Sequence, residues 1–313
     1  MRAIAVTEFG GPDALHVIER PVPEPQDGEV LVRVHAATVN PADTLLRSGA
    51  QAARLTGLEP PYVPGMELSG HVEAVGSGVT RVRVGQPVMA VVDPIRPAGG
   101  AQAQLVAVPE ASVVPLSAGA DLVAFATVPM NGLTAVDAIE LLDLAQGDSL
   151  LVTGGAGALG GYIIELAVRA GLVVVADAAP ADVDFLRALG TQHVVPRGEG
   201  MADAVRSLFP DGVDGIVDAA RIGAAATALV RDGGAMVSAR AADPPDPRLR
   251  HSSVWFVHKL TDTASLEHLV ALAESGGLHL RVGRTLPLDQ AAEAHRLVEA
   301  GGQRGRVVLL LED

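Results

Sequence analysis

The sequence predicts an α/β protein in which a doubly wound parallel sheet is inserted into an irregular, mostly β domain. Three observations carry that expectation. From Met1 to about Ala120, short apolar segments are cut by Pro/Gly turns; from Leu122 onward, apolar strands alternate with helix-length, Ala-rich stretches, the rhythm of parallel βαβ units. The first of those strands runs straight into a glycine cluster. The chain of 313 residues exceeds one ordinary domain and can support two cores sharing a cleft.

In the β-rich region, strands are expected at Ala3 to Thr7, Leu15 to Ile18, Glu29 to Ala37, Gly70 to Val75 and Pro87 to Val92. The doubly wound region would use Ser149 to Thr153, Val173 to Asp177, His193 to Val195, Gly215 to Ala219, Ala235 to Ala239 and Val254 to Val257. Ala241 to Arg250, with its three prolines, reads as a loop. After Lys259 come a helix (Ser265 to Glu274), a strand (Leu280 to Val282), a helix (Gln290 to Glu299) and a last strand (Arg306 to Leu311), all assigned back to the first domain. The expected division is therefore 1–121 with 260–313, and 122–259 inserted between them.

Composition narrows the function classes. Although 49% of residues are hydrophobic, no apolar run approaches the roughly 18 residues of a membrane span. The start, MRAIAVTEFGG, lacks the long apolar stretch of a signal peptide, so a cytoplasmic location is expected. The net charge is −14 and no Lys/Arg stripe forms, which argues against nucleic acid as a partner. There is no cysteine, which removes disulfides, thiol nucleophiles and thiolate metal sites together.

The segment Leu150-Leu-Val-Thr-Gly-Gly-Ala-Gly-Ala-Leu-Gly-Gly places a buried strand before a glycine turn, and a helix-forming run, Tyr162 to Arg169, after it. Two registers fit: Gly155, Gly157 and Gly160 as G-x-G-x-x-G, or Gly154, Gly157 and Gly160 with one more residue between the first two. Either permits a tight turn and close approach of the backbone, through Ala156 and Leu159, to a pyrophosphate at a helix N-terminus. Asp177 ends the next strand about 20 residues beyond the first glycine, where a carboxylate accepts from an adenosine ribose. This order of elements points to a dinucleotide cofactor.

Eight segments in order, Val39-Asn-Pro-Ala-Asp-Thr, Val63-Pro-Gly-Met-Glu-Leu-Ser-Gly, Val84-Gly-Gln-Pro-Val, Asn131-Gly-Leu-Thr-Ala, Gly154 to Gly160, Gly233-Gly-Ala-Met-Val-Ser, Ala291-Ala-Glu-Ala-His-Arg and Gly305-Arg-Val-Val, give the chain its resemblance to the medium-chain dehydrogenase/reductase superfamily. Within it, the chain resembles the zinc-free quinone oxidoreductase (zeta-crystallin-like) branch. The resemblance implies a Rossmann domain inserted in a split GroES-like catalytic domain. Zinc-containing alcohol dehydrogenases of the superfamily carry Cys and His ligands at the segments matching Asn40 to Asp43 and Gly65 to Glu67. Here Asn40 and Met66 stand there. Without a Lewis acid, the expected reaction is hydride transfer from NAD(P)H to an acceptor already activated, a quinone or an α,β-unsaturated carbonyl.

The resemblance also suggests roles. Thr134, Ser238 and the backbone around Phe256 and Val257 fall beside the nicotinamide. Asn40 binds either the nicotinamide ribose or a substrate oxygen, and Asp43 orients neighbours; an Asn-Pro turn is the plain alternative. Relatives often have aromatic residues where this chain has Leu45 and Gln102, which leaves Tyr62 as the cleft tyrosine or as a loop cover. His258 either donates to a developing oxyanion or is a surface residue. His71 and His295 have no metal-like companion. Arg221 replaces a common glycine and either clamps an anionic substrate or is solvated. Asp177 and Asp182 favour NADH, with Arg197 as the opposing charge. A homodimer is expected through edge pairing of Val254 to Val257. Two other readings stay open: a pathway-specific enoyl reductase or non-redox enzyme on the same scaffold, and a non-catalytic cofactor sensor.

Overall fold

The computed structural model describes residues 1–239 and 246–311, which form two compact units. The first comprises Met1–Met130, Val257–Glu274 and the chain from Leu280 onward. The second comprises Asn131–Phe256 and Ser275–His279. Among the described residues no helix is long and apolar enough to cross a membrane.

The first unit is organised by one long strand. Glu29–Val39 is rich in β-branched residues and almost wholly buried, and it pairs antiparallel with Glu67–Val75, Leu105–Pro109 and Arg306–Leu310. Register shifts at Leu31/Val32 and Val34/Ala36 let it bend and serve all three neighbours. Val282–Pro287, Pro87–Val91 and Val113–Pro115 complete a seven-stranded sheet, and Arg2–Val6 pairs separately with Leu15–Glu19. Ile4, Val30, Val32, Leu68, Val88 and Leu309 meet in its core.

Residues 122–130 belong to this unit and not to the second. Ser69 Oγ donates to the Leu122 carbonyl, and the Met130 N–H donates to Glu67 Oε2 at 2.8 Å. The units therefore divide later along the chain than the change in strand rhythm.

The second unit is a six-stranded parallel sheet in the order His193–Pro196, Val173–Ala178, Ser149–Thr153, Val213–Asp218, Val230–Ser238, Arg250–Ser253. Chain direction reverses its sense of travel across the sheet between Ser149–Thr153 and Val213–Asp218. Sheets of this order bind ligands at that switch point, outside the carboxyl ends of the strands. Leu151, Val175, Ile216, Val205 and Met236 form part of its core.

Two expected elements are corrected. The sixth strand is Arg250–Ser253, not Val254–Val257; Phe256–Lys259 is a 3-10 turn. Ser238 pairs with Ser253, and Val254 makes one last bond to the Ser238 carbonyl at 3.1 Å before Trp255 N–H turns to Asp137 Oδ2 at 3.1 Å. The edge strand is polar, so an apolar run was the wrong signal for it. The strand expected at Leu280 to Val282 is instead Val282–Pro287. Just before it, the His279 backbone N–H is taken by the Glu165 carboxylate and is not free for a ladder. The expected loop at Ala241 to Arg250 lies outside the described residues as far as 245, and Arg250 opens the edge strand.

Candidate functional site

At the switch point, the strand Ser149–Thr153 is buried at every residue and ends on Gly154, whose φ of +68° bends the chain sharply. A Cβ at Gly155 would lie 2.9 Å from Ala176 Cβ, and one at Gly160 only 2.3 Å from the Gly154 carbonyl oxygen. The turn is thus packed against the Ala176 side chain at Gly155 and closed on its own backbone at Gly160. Gly157 caps the helix Ala158–Arg169, whose first intrahelical bond is Gly161 N–H to Gly157 O at 2.9 Å. The N–H groups of Ala158, Leu159 and Gly160 precede that bond and face outward from the helix start, a ready anion site.

Two carboxylates frame the turn. Asp177 Oδ1 accepts from Gly154 N–H and its Oδ2 from Arg197 Nε at 2.7 Å. On the other side, Asp218 accepts from Thr153 Oγ1 at 2.7 Å, Ile222 N–H at 3.0 Å and Gly223 N–H at 2.9 Å. Asp218 was missed in the sequence, because a carboxylate at a strand end has no local pattern that reveals a neighbour 65 positions earlier. It holds the bend in which Arg221 sits, exposed and with φ of +59°. Asp182 is buried at the start of Val183–Ala188. Ser238 is buried, its Oγ 3.3 Å from His251 Nε2. Thr134 is buried in the helix Pro129–Leu142.

In the first unit, Asn40 and Asp43 come together at the start of the helix Pro41–Ser48, both fully buried. Asp43 accepts from Asn40 N–H at 2.7 Å and Gly65 N–H at 2.8 Å, so it staples the helix start to the Pro64–Gly65 segment. Burial pushes its carboxyl up to about 6, against those two hydrogen bonds and Arg306. Asn40 turns its amide inward: Nδ2 donates to Thr38 Oγ1 at 3.1 Å and Oδ1 accepts from Arg306. Arg306 also pairs with Glu67, which in turn accepts from Thr38 Oγ1. The Gln102 amide is buried alongside, donating weakly to the Thr38 carbonyl at 3.5 Å.

Tyr62 is half-buried, stacked on Phe9 with ring centroids 5.7 Å apart, and its hydroxyl donates to the Leu58 carbonyl at 3.1 Å. Phe256, Val257 and His258 lie in the short 3-10 turn, with His258 exposed, in place of the strand expected to carry Phe256 and Val257 and to be followed by His258. Among the described residues no group of three His, Cys, Asp or Glu side chains is arranged to hold a metal ion.

Residues 26–118 match the alcohol dehydrogenase GroES-like domain, and residues 189–309 match the zinc-binding dehydrogenase domain. The chain is 30% identical to the quinone oxidoreductase of Rattus norvegicus over 329 aligned positions, which span 99% of this chain and 98% of that protein. It belongs to the quinone oxidoreductase family of the medium-chain dehydrogenase/reductase superfamily. Among solved structures, a mycobacterial protein complexed with NADPH superimposes with a TM-score of 0.85 at 29% identity, covering 99% of this chain and all of that one (100%). A 2-haloacrylate reductase superimposes with a TM-score of 0.81 at 26% identity, with 100% of both chains covered.

In this quinone oxidoreductase family member, as in the superfamily, an oxidoreductase scaffold pairs a GroES-like part with a Rossmann-type sheet. Glu67 and Arg306 were not singled out as site residues from the sequence. Both stand inside segments that carried the family resemblance, but a partnership across 239 positions has no periodic signature.

Proposed function

We propose that the chain is an NAD(P)H-dependent oxidoreductase that transfers a hydride to a quinone or to an activated C=C, such as an α,β-unsaturated carbonyl, without zinc. The observation that carries this reading is the Gly154–Gly160 turn at the switch point of the sheet, where Cβ atoms at Gly155 and Gly160 would collide with Ala176 and with the Gly154 carbonyl, so that only glycine permits the tight turn that brings the helix start to a pyrophosphate. The rat quinone oxidoreductase and the 2-haloacrylate reductase support the acceptor class.

The nicotinamide, when bound, supplies the hydride. The chain's own residues then have distinct tasks. The helix start at Ala158 to Gly160 holds the pyrophosphate charge, and Asp177, whose oxygens each retain acceptor capacity, takes the ribose hydroxyls. Thr134, Ser238, Phe256 and Val257 are assigned to the nicotinamide end. Asn40 and Asp43, with their polar atoms already committed, act by positioning backbone. His258 is the assigned proton carrier, and Tyr62 and Arg221 are assigned to the acceptor. Asp177 and Asp182 favour NADH, since a 2′-phosphate beside two carboxylates is repelled.

The donor set does not fit zinc: the chain has no cysteine, Met66 stands at a ligand position, and the Asn40 side-chain Oδ1 is held by Arg306. Two copies are proposed to associate through the open edge Arg250–Ser253, and a monomeric mass in sedimentation at micromolar concentration would count against this. The function is tested by following NADH oxidation with 1,4-benzoquinone and with a simple enone, and by NADH-dependent protection against thermal unfolding. Protection without oxidation of either acceptor would favour the sensor reading. Loss of both would remove the cofactor assignment.

A further inference from the structure

A cavity of about 230 Å³ lies within the first unit, between the loops Gly57–Val63 and Pro94–Gly99. Leu58, Pro61, Tyr62 and Pro94 supply apolar walls, and Arg96 and Glu59 are its charged residues. The walls are preorganised. Tyr62 is clamped between its ring stack on Phe9 and its bond to Leu58. Arg20 Nη1 donates to the Ala98 carbonyl at 3.2 Å and steadies the opposite loop. The two loops then run into a ladder, Gly100 N–H to Val63 O at 2.9 Å and Ala101 N–H to Gly65 O at 3.0 Å, the same segment that Asp43 holds at Gly65.

The two charges differ in their surroundings. Glu59 is exposed and solvated. Arg96 spends its Nε on the Gly99 carbonyl at 2.8 Å and makes no ion pair among the described residues. Burial draws its guanidinium below arginine's ordinary pKa, with Glu29 and Asp93 opposing from a distance. Those two carboxylates are turned elsewhere: Asp93 to Ile95 N–H at 3.0 Å, Glu29 to Gln26 N–H at 2.9 Å. A half-buried guanidinium whose terminal nitrogens have no acceptor among the described residues recovers lost solvation from a planar anion, which it binds through two parallel N–H···O bonds.

We propose that this cavity binds a small carboxylate with a flat apolar body, an aryl or enoyl acid, with Arg96 as its anchor and Tyr62 as its wall. The volume lies below the roughly 300–1,000 Å³ of sites for drug-sized ligands, which restricts the ligand to a compact acid. Tyr62, assigned above to the acceptor, is also a wall of this cavity, and at that wall the proposal rests on that reading; binding here does not require the nicotinamide, so the binding test can fail without removing the hydride-transfer assignment.

Calorimetric titration of the cofactor-free protein with benzoate, and with its neutral isostere benzamide, tests the site. Benzoate binds at least tenfold more tightly than benzamide. Arg96→Met weakens benzoate at least tenfold and leaves benzamide unchanged, and Glu59→Gln, at an exposed position where folding is not at risk, tightens benzoate severalfold. Equal affinity for the two probes, unchanged benzoate binding in Arg96→Met, or no tightening in Glu59→Gln each overturns the proposal. Preferential binding of the cation benzamidine also overturns it, by handing the cavity to Glu59.

Discussion

Asp177 Oδ2 accepts a 2.7 Å hydrogen bond from Arg197 Nε, joining a carboxylate that is 4% exposed to a guanidinium that is 48% exposed. The pair stands at the carboxyl ends of adjacent strands, beside the glycine turn that Asp177 also contacts. Asp177→Ser removes the charge that repels a 2′-phosphate and releases Arg197 toward it. The variant gains about tenfold in kcat/KM with NADPH, a difference of about 1.4 kcal/mol, and loses with NADH. Steady-state kinetics with both cofactors checks this, and a tenfold preference for NADPH in the unaltered protein would refute the NADH assignment.

Gly160 and Gly161 are adjacent in one helix but differ in what a methyl group meets. At Gly160 the obstacle is the Gly154 carbonyl oxygen at 2.3 Å; at Gly161 the nearest atom is Leu189 Cδ1 at 3.6 Å. Gly160→Ala therefore destabilises by about 1–3 kcal/mol and abolishes NADH binding in a fluorescence titration. Gly161→Ala keeps binding and gains up to about 1 kcal/mol from helix propensity. Equal behaviour of the two variants would show that the turn does not act as a fitted cradle.

Glu67 and Arg306 form an ion pair that is 0% and 8% exposed. Glu67→Gln leaves the guanidinium buried without its counter-charge and costs about 3–5 kcal/mol in urea denaturation. The double variant Glu67→Gln with Arg306→Met recovers part of that loss, since no unpaired charge remains. A double variant as unstable as the single one would mean that the pair contributes by shape and not by charge.

Two buried groups shape the acid response in opposite directions. Asp43 is raised to about 6 from 3.8, so the folded state holds its proton more tightly; its contribution is complete below pH 3.8 and is lost as pH rises through 6. His295, lowered to about 3 from 6.5 by burial and by Arg47 beside it, contributes above pH 6.5 and loses that contribution as pH falls toward 3. Asp43→Ala should steepen the loss of stability on acidification between pH 6 and 4, and His295→Leu should flatten it. Urea midpoints measured across that range decide the matter, and parallel pH profiles for both variants would refute it.

Arg221 holds a left-handed backbone, φ +59°, on an exposed bend, a conformation that costs a non-glycine residue about 1–2 kcal/mol. Arg221→Gly relieves it and raises the apparent melting temperature by about 2 °C. If acceptor kcat/KM falls at the same time, the retained arginine acts on substrate; an unchanged kcat/KM removes it from the site.

The division of labour between sequence and fold follows from the range of each interaction. The parallel sheet, the glycine turn and the placement of Asp177 were legible, because strand, turn and helix are contiguous and steric need selects glycine at short range. The edge strand Arg250–Ser253 was misplaced: only one of its sides is paired, so its residues stay polar and carry no apolar signal.

The glycine-rich turn was thus determined by the sequence alone, as was the absence of thiolate chemistry. The tertiary structure decided what surrounds it: Arg197 on Asp177, Asp218 on Thr153, and the Thr38, Asn40, Glu67 and Arg306 cluster that turns Asn40 inward. Apart from the neighbours Thr38 and Asn40, those partners lie 20 to 268 positions apart. Charged and polar groups taken out of water must find acceptors or donors wherever the fold brings them, and local periodicity does not encode that choice.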